Sequence, residues 1–370
     1  MAIPSVGILI EKTDTKIMRT NFEKFIQMKT TIYFRLMILC LLFTVPAWAG
    51  DRDVQVARIW DKAPHNAFTD LIRFEGRFYC TFREGTGHVP GETGEDGKIR
   101  VLVSADGKKW ESLALLAKEG YDLRDPKLSC TPDQKLMLLY GGSIYDGEKL
   151  TGCRTHVSFL DKEGKVFSAP KPVVIDKKIR SDFNWLWRVS WFEGKGYGVI
   201  YQKDTAKGGT VFLVITKNGI NYSLVSALTT GGFPNEAPVL VKPDREMLVL
   251  LRRDDGDQHG YLGYSRPPYR NWNWNDLGIR LGGPNVIPYD STRFIMGSRS
   301  HYPEGARTAL WLITKTGPPK QFLEFPSGGD TSYPGLVLSG DTLWVSYYSS
   351  HEGKSMIYLA NVPVTVLADK

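Results

Sequence analysis

A short turn written several times over constrains this chain more than any other feature. In Ser104-Ala105-Asp106-Gly107-Lys108-Lys109-Trp110, a hydroxyl, an acid, a glycine and an aromatic stand at the spacing of a self-contained hairpin turn. The glycine takes a positive φ, the short polar side chains bond the turn backbone, and the aromatic closes over them. Thr216-Lys217-Asn218-Gly219-Ile220-Asn221-Tyr222 repeats the pattern, residues 161–167 are a weaker copy, and Thr314-Lys315-Thr316-Gly317 keeps its first half. Gly107, Gly164, Gly219 and Gly317 are 57, 55 and 98 residues apart, the last interval being close to two periods with one copy lost. One turn device at regular spacing means a repeat protein.

A second series of hairpins lies between these turns. Its members, residues 68–82, 125–140, 188–201, 237–252, 285–296 and 334–347, each carry a Pro or polar residue near the start and return through an alternating strand. Their turns centre on Gly76, Asp133, Gly194, Asp244, Asp290 and Gly340, at intervals of 57, 61, 50, 46 and 50 residues. Return strands such as Met247-Leu248-Val249-Leu250-Leu251 are β-rich, and nothing after residue 50 keeps a helical apolar period. Six units of four strands predict an all-β chain folded as a six-bladed β-propeller. Little sequence follows the last hairpin, so residues 54–60 are expected to complete the sixth sheet and close the ring.

The first 49 residues read as outside that fold. Lys29 and Arg35 precede an apolar run, residues 36–45, too short to span a bilayer, and Ala47-Trp48-Ala49 has the small-x-small pattern of a signal-peptidase site. The expectation is an upstream extension before Met28, cleavage after Ala49, a single domain over residues 50–370, and a periplasmic or extracellular protein without membrane insertion. Those first 49 residues carry six basic and three acidic side chains, leaving 41 Lys/Arg against 37 Asp/Glu over 321 residues. So small an excess gives no footprint for nucleic acid. Cys80, Cys130 and Cys153 include no Cys-x-x-Cys pair, so neither metal nor cofactor is expected; a Cys130–Cys153 disulfide and buried free thiols are both compatible with an odd count.

Inner strands of a propeller start around one cavity, where chemistry is expected. Unit by unit, those starts offer His65-Asn66, Arg124-Asp125, Asp182 with Trp185 and Trp187, Asn235-Glu236, Gly283 to Asn285, and Ser332-Tyr333. Second strands return to the same rim with Arg83-Glu84, Arg252-Arg253 and Arg299. Arg252 and Arg253 are adjacent, so alternation sends one inward. Trp185, Trp187, Trp272 and Trp274 suit either sugar stacking or inter-blade packing.

These residues resemble the sialidases, six-bladed propellers with Asp-box hairpins, and Ser104 to Trp110 is similar to one such box with a residue missing before the aromatic. Ser332-Tyr333-Pro334-Gly335 resembles the motif that opens the family's sixth blade with its tyrosine nucleophile. Asn235-Glu236-Ala237-Pro238 is similar to the step bearing the glutamate that polarises it, and Asp125-Pro126 to the pair beside the substrate. Arg252 or Arg253, together with Arg299, match two of the three arginines that clamp the substrate carboxylate. The family's Arg-Ile-Pro is missing from the first blade, which reads His65-Asn66-Ala67-Phe68-Thr69-Asp70; Arg83, Arg124 or His65 is left to substitute.

The resemblance implies a retaining exo-glycosidase acting on a terminal, anionic sugar of a glycan, as a monomer without cofactor. Tyr333 would be the nucleophile, Glu236 its base, and an acid from the loop over residues 85–97 (His88, Glu92, Glu95 or, by preference, Asp96) would protonate the leaving group. Asp125 joins this catalytic set, and Arg252, Arg253, Arg299, His65, Arg83 and Trp185 form the expected substrate-binding set. A non-catalytic carbohydrate-binding or assembly-factor propeller is the other class the sequence admits.

Overall fold

The structure, a computed structural model, describes residues 54–90, 94–202 and 209–367. The leader segment and Glu92 lie outside the described residues. Six antiparallel sheets follow one another along the chain, each running from an inner to an outer strand. The inner strands are His65–Phe74, Asp122–Cys130, Asn184–Phe192, Val239–Val241, Asn285–Pro288 and Thr331–Ser339. Each packs against the next, and the sixth packs against the first, which closes a propeller. Gln55–Trp60 pairs antiparallel with Met356–Pro363 as the outermost strand of blade six, the place residues 54–60 were expected to take. Blade three carries a fifth strand, Val174–Ile175, parallel to Asn221–Leu228.

The turns explain the sequence period. Gly107 N–H bonds Ser104 Oγ at 2.9 Å, and Lys108 and Lys109 N–H both bond Asp106 Oδ1, at 2.8 and 3.0 Å. Trp110 Nε1 closes the turn on the Gly107 carbonyl at 3.0 Å. In the second copy, Gly219 N–H bonds Thr216 Oγ1, Ile220 and Asn221 N–H bond Asn218 Oδ1, and Tyr222 Oη reaches the Gly219 carbonyl. Each turn joins the third strand of a blade to the fourth. The long interval after Gly219 spans blade four, where residues 266–272, with a cis Pro267–Pro268 bond, replace the device.

The core is a ring of inter-blade clusters. Tyr79, Ile99 and Val101 of blade one meet Leu128, Leu138 and Tyr140 of blade two, and the same arrangement recurs between blades four and five and between five and six. Each such side chain contributes about 1.5–3 kcal/mol when fully buried. Trp185 is 1% exposed and lies flat on Gly141, where a Cβ would overlap its indole. It is therefore a packing residue between blades two and three, not a sugar platform. Cys80, Cys130 and Cys153 are free thiols, so no disulfide links Cys130 to Cys153. No helix among the described residues is long and apolar enough to cross a membrane.

Candidate active site

Four inner strands break register just where they reach the central cavity, between Ala67 and Asp70, Arg124 and Lys127, Leu186 and Val189, and Ser332 and Gly335. An extra residue in one strand bends it and re-aims a side chain. Phe68, Asp125 and Tyr333 sit in three of these bulges at φ of 63°, 51° and 53°. A non-glycine residue there costs on the order of 1–3 kcal/mol, a strain that clusters at functional sites. All three line one cavity of about 440 Å3, with His88, Arg124, Leu150, Tyr201, Phe233, Asn235, Glu236, Arg252 and Asp254. That size suits one sugar ring with part of an aglycone. A larger apolar groove between blades two and three, lined by Phe159, Phe167 and Trp191, lies away from these polar groups.

At the base of the cavity the Tyr333 hydroxyl donates to Glu236 Oε1 at 2.5 Å. Glu236 Oε2 accepts from Arg252 Nη1 at 2.8 Å and from Gly283 N–H at 2.9 Å. Arg252 Nη1 also stands 3.4 Å from the Tyr333 hydroxyl, and its Nε bonds Asp254 at 3.0 Å. Gly283 is irreplaceable here: its φ is 61°, and a Cβ would enter the Tyr333 ring. The ring is wedged edge-to-face by Phe68 at 5.0 Å and Trp187 at 5.7 Å.

Electrostatics set both protons. Burial works against an ionised Glu236, but Arg252, the Tyr333 hydroxyl and the Gly283 amide outweigh it and hold the carboxyl below its ordinary range. For Tyr333, burial and then the Glu236 charge raise the phenol well above its usual value, against Arg252 and Arg299. The resting pair is thus carboxylate and phenol, joined by the phenol's own proton. Lys127 lies beneath, 4.4 Å from the Trp187 ring and 5.7 Å from that of Tyr333, and burial lowers its pKa to about 8.

The other expected residues divide. Asp125 and Arg252 reach the cavity with Tyr333 and Glu236. Arg253 turns away, bonding the Gly231 carbonyl at 3.2 Å and Asp257 at 2.6 Å with its guanidinium over Tyr261. Arg299 gives Nε and Nη2 to the Thr331 carbonyl, at 3.0 and 2.7 Å, and approaches Tyr333 only over its ring face, 5.9 Å from the centroid. Arg83 is fully buried, closed on Asp122 through Nε at 3.0 Å and Nη2 at 2.6 Å. Asp96 stands in the field of that buried pair, outside the cavity lining; burial and then Asp122 raise its pKa. Glu95 pairs with Lys98 on the surface. Of the described candidates from that loop, His88 alone lines the cavity. His65 sits behind it, bonded to Asp330 and shifted down by burial.

Sequence reasoning gave no role to Phe68, Tyr201, Phe233 or Asp254. Phe68 stands in the first blade, where the sequence has no arginine, and the bulge that aims it into the cavity shows only in the strand register. Asp254 could have been found as the next polar residue after the Arg252-Arg253 pair.

No family model and no curated protein matches the sequence. Solved structures do match. A protein of unknown function from Dyadobacter fermentans aligns at TM-score 0.70 and 18% identity, over 84% of this chain and 99% of that one. Trypanosoma rangeli sialidase aligns at TM-score 0.67 and 9% identity, over 86% of this chain and 61% of that one. A mutant of the alpha-L-arabinofuranosidase arb93a from Fusarium graminearum, in complex with an iminosugar inhibitor, aligns at TM-score 0.62 and 14% identity, over 84% and 98%. The chain has the six-bladed propeller fold of the sialidases, a fold it shares with glycoside hydrolases of more than one specificity.

Proposed function

We propose that this chain is an exported exo-glycoside hydrolase that retains anomeric configuration and uses Tyr333 as its nucleophile. The observation that carries the reading is the 2.5 Å bond from the Tyr333 hydroxyl to a buried, ionised Glu236 at the base of a sugar-sized cavity. Glu236 takes the phenolic proton as Tyr333 Oη attacks the anomeric carbon and the glycosidic bond breaks. Asp125, the bulge carboxyl on the cavity wall, gives its proton to the departing oxygen, taking the acid's part that was expected of Asp96. Asp125 then deprotonates a water that attacks the same carbon, the bond to Tyr333 breaks, and Glu236 returns its proton to the phenolate.

The arginines bear on the sugar. Arg83, Arg253 and Arg299 are committed to Asp122, to Asp257 and to the Thr331 carbonyl, and Phe68 stands in the first blade. A planar three-arginine grip on a carboxylate is not assembled, which favours an uncharged terminal sugar over the anionic one expected from sequence. The similarity to an arabinofuranosidase fits that preference. The test is release of terminal sugars from a panel of arabinofuranosides, neutral pyranosides, uronides and sialosides, with the first-formed anomer read by NMR. Retention on a neutral substrate supports the reading; inversion contradicts it. No turnover on any member, with sugar binding intact, returns the chain to the carbohydrate-binding class.

A further inference from the structure

We propose a divalent transition-metal site at the lip of the cavity, formed by His65, His88 and Asp330. The three come from separate parts of the chain: the first residue of the inner strand of blade one, the loop that follows Arg77–Gly85, and the approach to the inner strand of blade six. Their ligand atoms nonetheless converge within 4.8 Å of one another. Asp330 Oδ2 lies 3.1 Å from His65 Nε2 and 2.9 Å from His88 Nδ1. Metal–ligand bonds of about 2.1 Å at the tetrahedral angle separate neighbouring donors by about 3.4 Å, so each edge would open by only a few tenths of an ångström on binding. Two imidazoles and one carboxylate suit zinc or a similar ion, whereas magnesium and calcium select all-oxygen shells.

The surroundings are built for it. Asp330 Oδ1 is fixed by the Tyr348 hydroxyl at 2.7 Å, and its backbone N–H by Ser350 Oγ at 2.9 Å, which leaves Oδ2 turned to the two rings. Such outer bonds orient a ligand and tune the metal. The rings meet edge-on at 5.7 Å, and Phe68 packs against both, at 6.3 Å from His65 and 5.3 Å from His88. Arg124 holds the His88 carbonyl at 3.0 Å. The charges facing the cluster are Arg299, 3.8 Å from Asp330 Oδ1, Arg83, and the same Arg124. His65 Nδ1 has no hydrogen-bond partner among the described residues, so the ring is oriented by Asp330 and Phe68 alone. The side chains of His65, Asp330 and His88 are 12%, 30% and 56% exposed, a gradient from interior to solvent that supplies an entry path. Three protein ligands leave coordination positions open towards the cavity, where a sugar hydroxyl could bind.

This site stands independently of the Tyr333 chemistry. The experiment is calorimetric titration of the chelator-stripped full chain with zinc chloride, alongside cobalt(II) absorption spectra and zinc-edge anomalous scattering from a soaked crystal. One equivalent is expected, with the anomalous peak between His65, His88 and Asp330. Asp330→Asn and His88→Gln should each weaken binding about 100-fold or more, and Tyr348→Phe about tenfold. His88→Gln alters the most exposed ligand and keeps the test sound should the Asp330 variant misfold. His259→Ala, in the surface cluster with Asp257 and Asp276, should change nothing. Absence of saturable binding, affinity unaltered by His88→Gln, or a peak at His259 would overturn the proposal.

Discussion

Arg83 and Arg252 return to the same rim from the second strands of blades one and four, and they end in opposite roles. Arg83 is sealed in, its guanidinium closed on Asp122 and capped by the Gly87 carbonyl at 2.7 Å. Arg252 keeps 16% of its side chain exposed and joins Glu236, Asp254 and Tyr333 on the cavity floor. The partner makes the difference. Asp122 approaches Arg83 from inside the blade-one and blade-two seam, whereas Glu236 and Asp254 approach Arg252 from the cavity side. One arginine–carboxylate pair holds two blades together; the other holds a carboxylate against a phenol.

The comparison breaks first at Glu236. Glu236→Gln removes the base and should lower kcat about 10²–10⁴-fold with the melting temperature little changed; turnover close to wild type would erase the distinction between the two pairs. Asp122→Asn should do the reverse. It strands a buried guanidinium, costing about 3–5 kcal/mol of stability in denaturant titration, while the folded fraction keeps its kcat.

Arg252→Gln sharpens the contrast through pH. A folded carboxyl held below its ordinary value stabilises the protein at pH above the unfolded value, near 4.5, and loses that contribution as pH falls through the folded value. The wild-type acid limb of kcat/KM should therefore lie below about pH 4.5. Without Arg252, burial dominates Glu236, and the limb should move upward; an unmoved limb would mean another group sets it. The smallest effect belongs to the turn at Asp106. Asp106→Asn keeps the acceptor for Lys108 and Lys109 N–H, so the melting temperature should drop slightly and the rate not at all.

The fold was readable because its signals are local. A glycine turn and its two strands are contained in about 20 residues, and six such hairpins fix the blade count before any long-range contact is known. Tyr333 and Glu236 were readable for a related reason. They are 97 residues apart, but Tyr333 lies at the start of one inner strand and Glu236 just before another, and the ring brings those places together. Side-chain heading was not readable. Arg252 and Arg253 differ by one step of alternation, and only Asp257 and the Gly231 carbonyl show that the second turns outward. Arg83 depends on Asp122, 39 residues on, and His65 on Asp330, 265 residues on. The bulges were hidden as well, since nothing around Ala67-Phe68 announces the extra residue that aims a phenyl ring into the cavity.

The most direct test of a tyrosine nucleophile is to trap it. The active protein is incubated with a 2-fluoro glycosyl fluoride of whichever sugar it releases, digested, and mapped by tandem mass spectrometry. The account predicts one fluoroglycosyl group on the Tyr333 hydroxyl, time-dependent inactivation, and no label in Tyr333→Phe. A label on Asp125 or Glu236, or undiminished turnover by Tyr333→Phe, would contradict it.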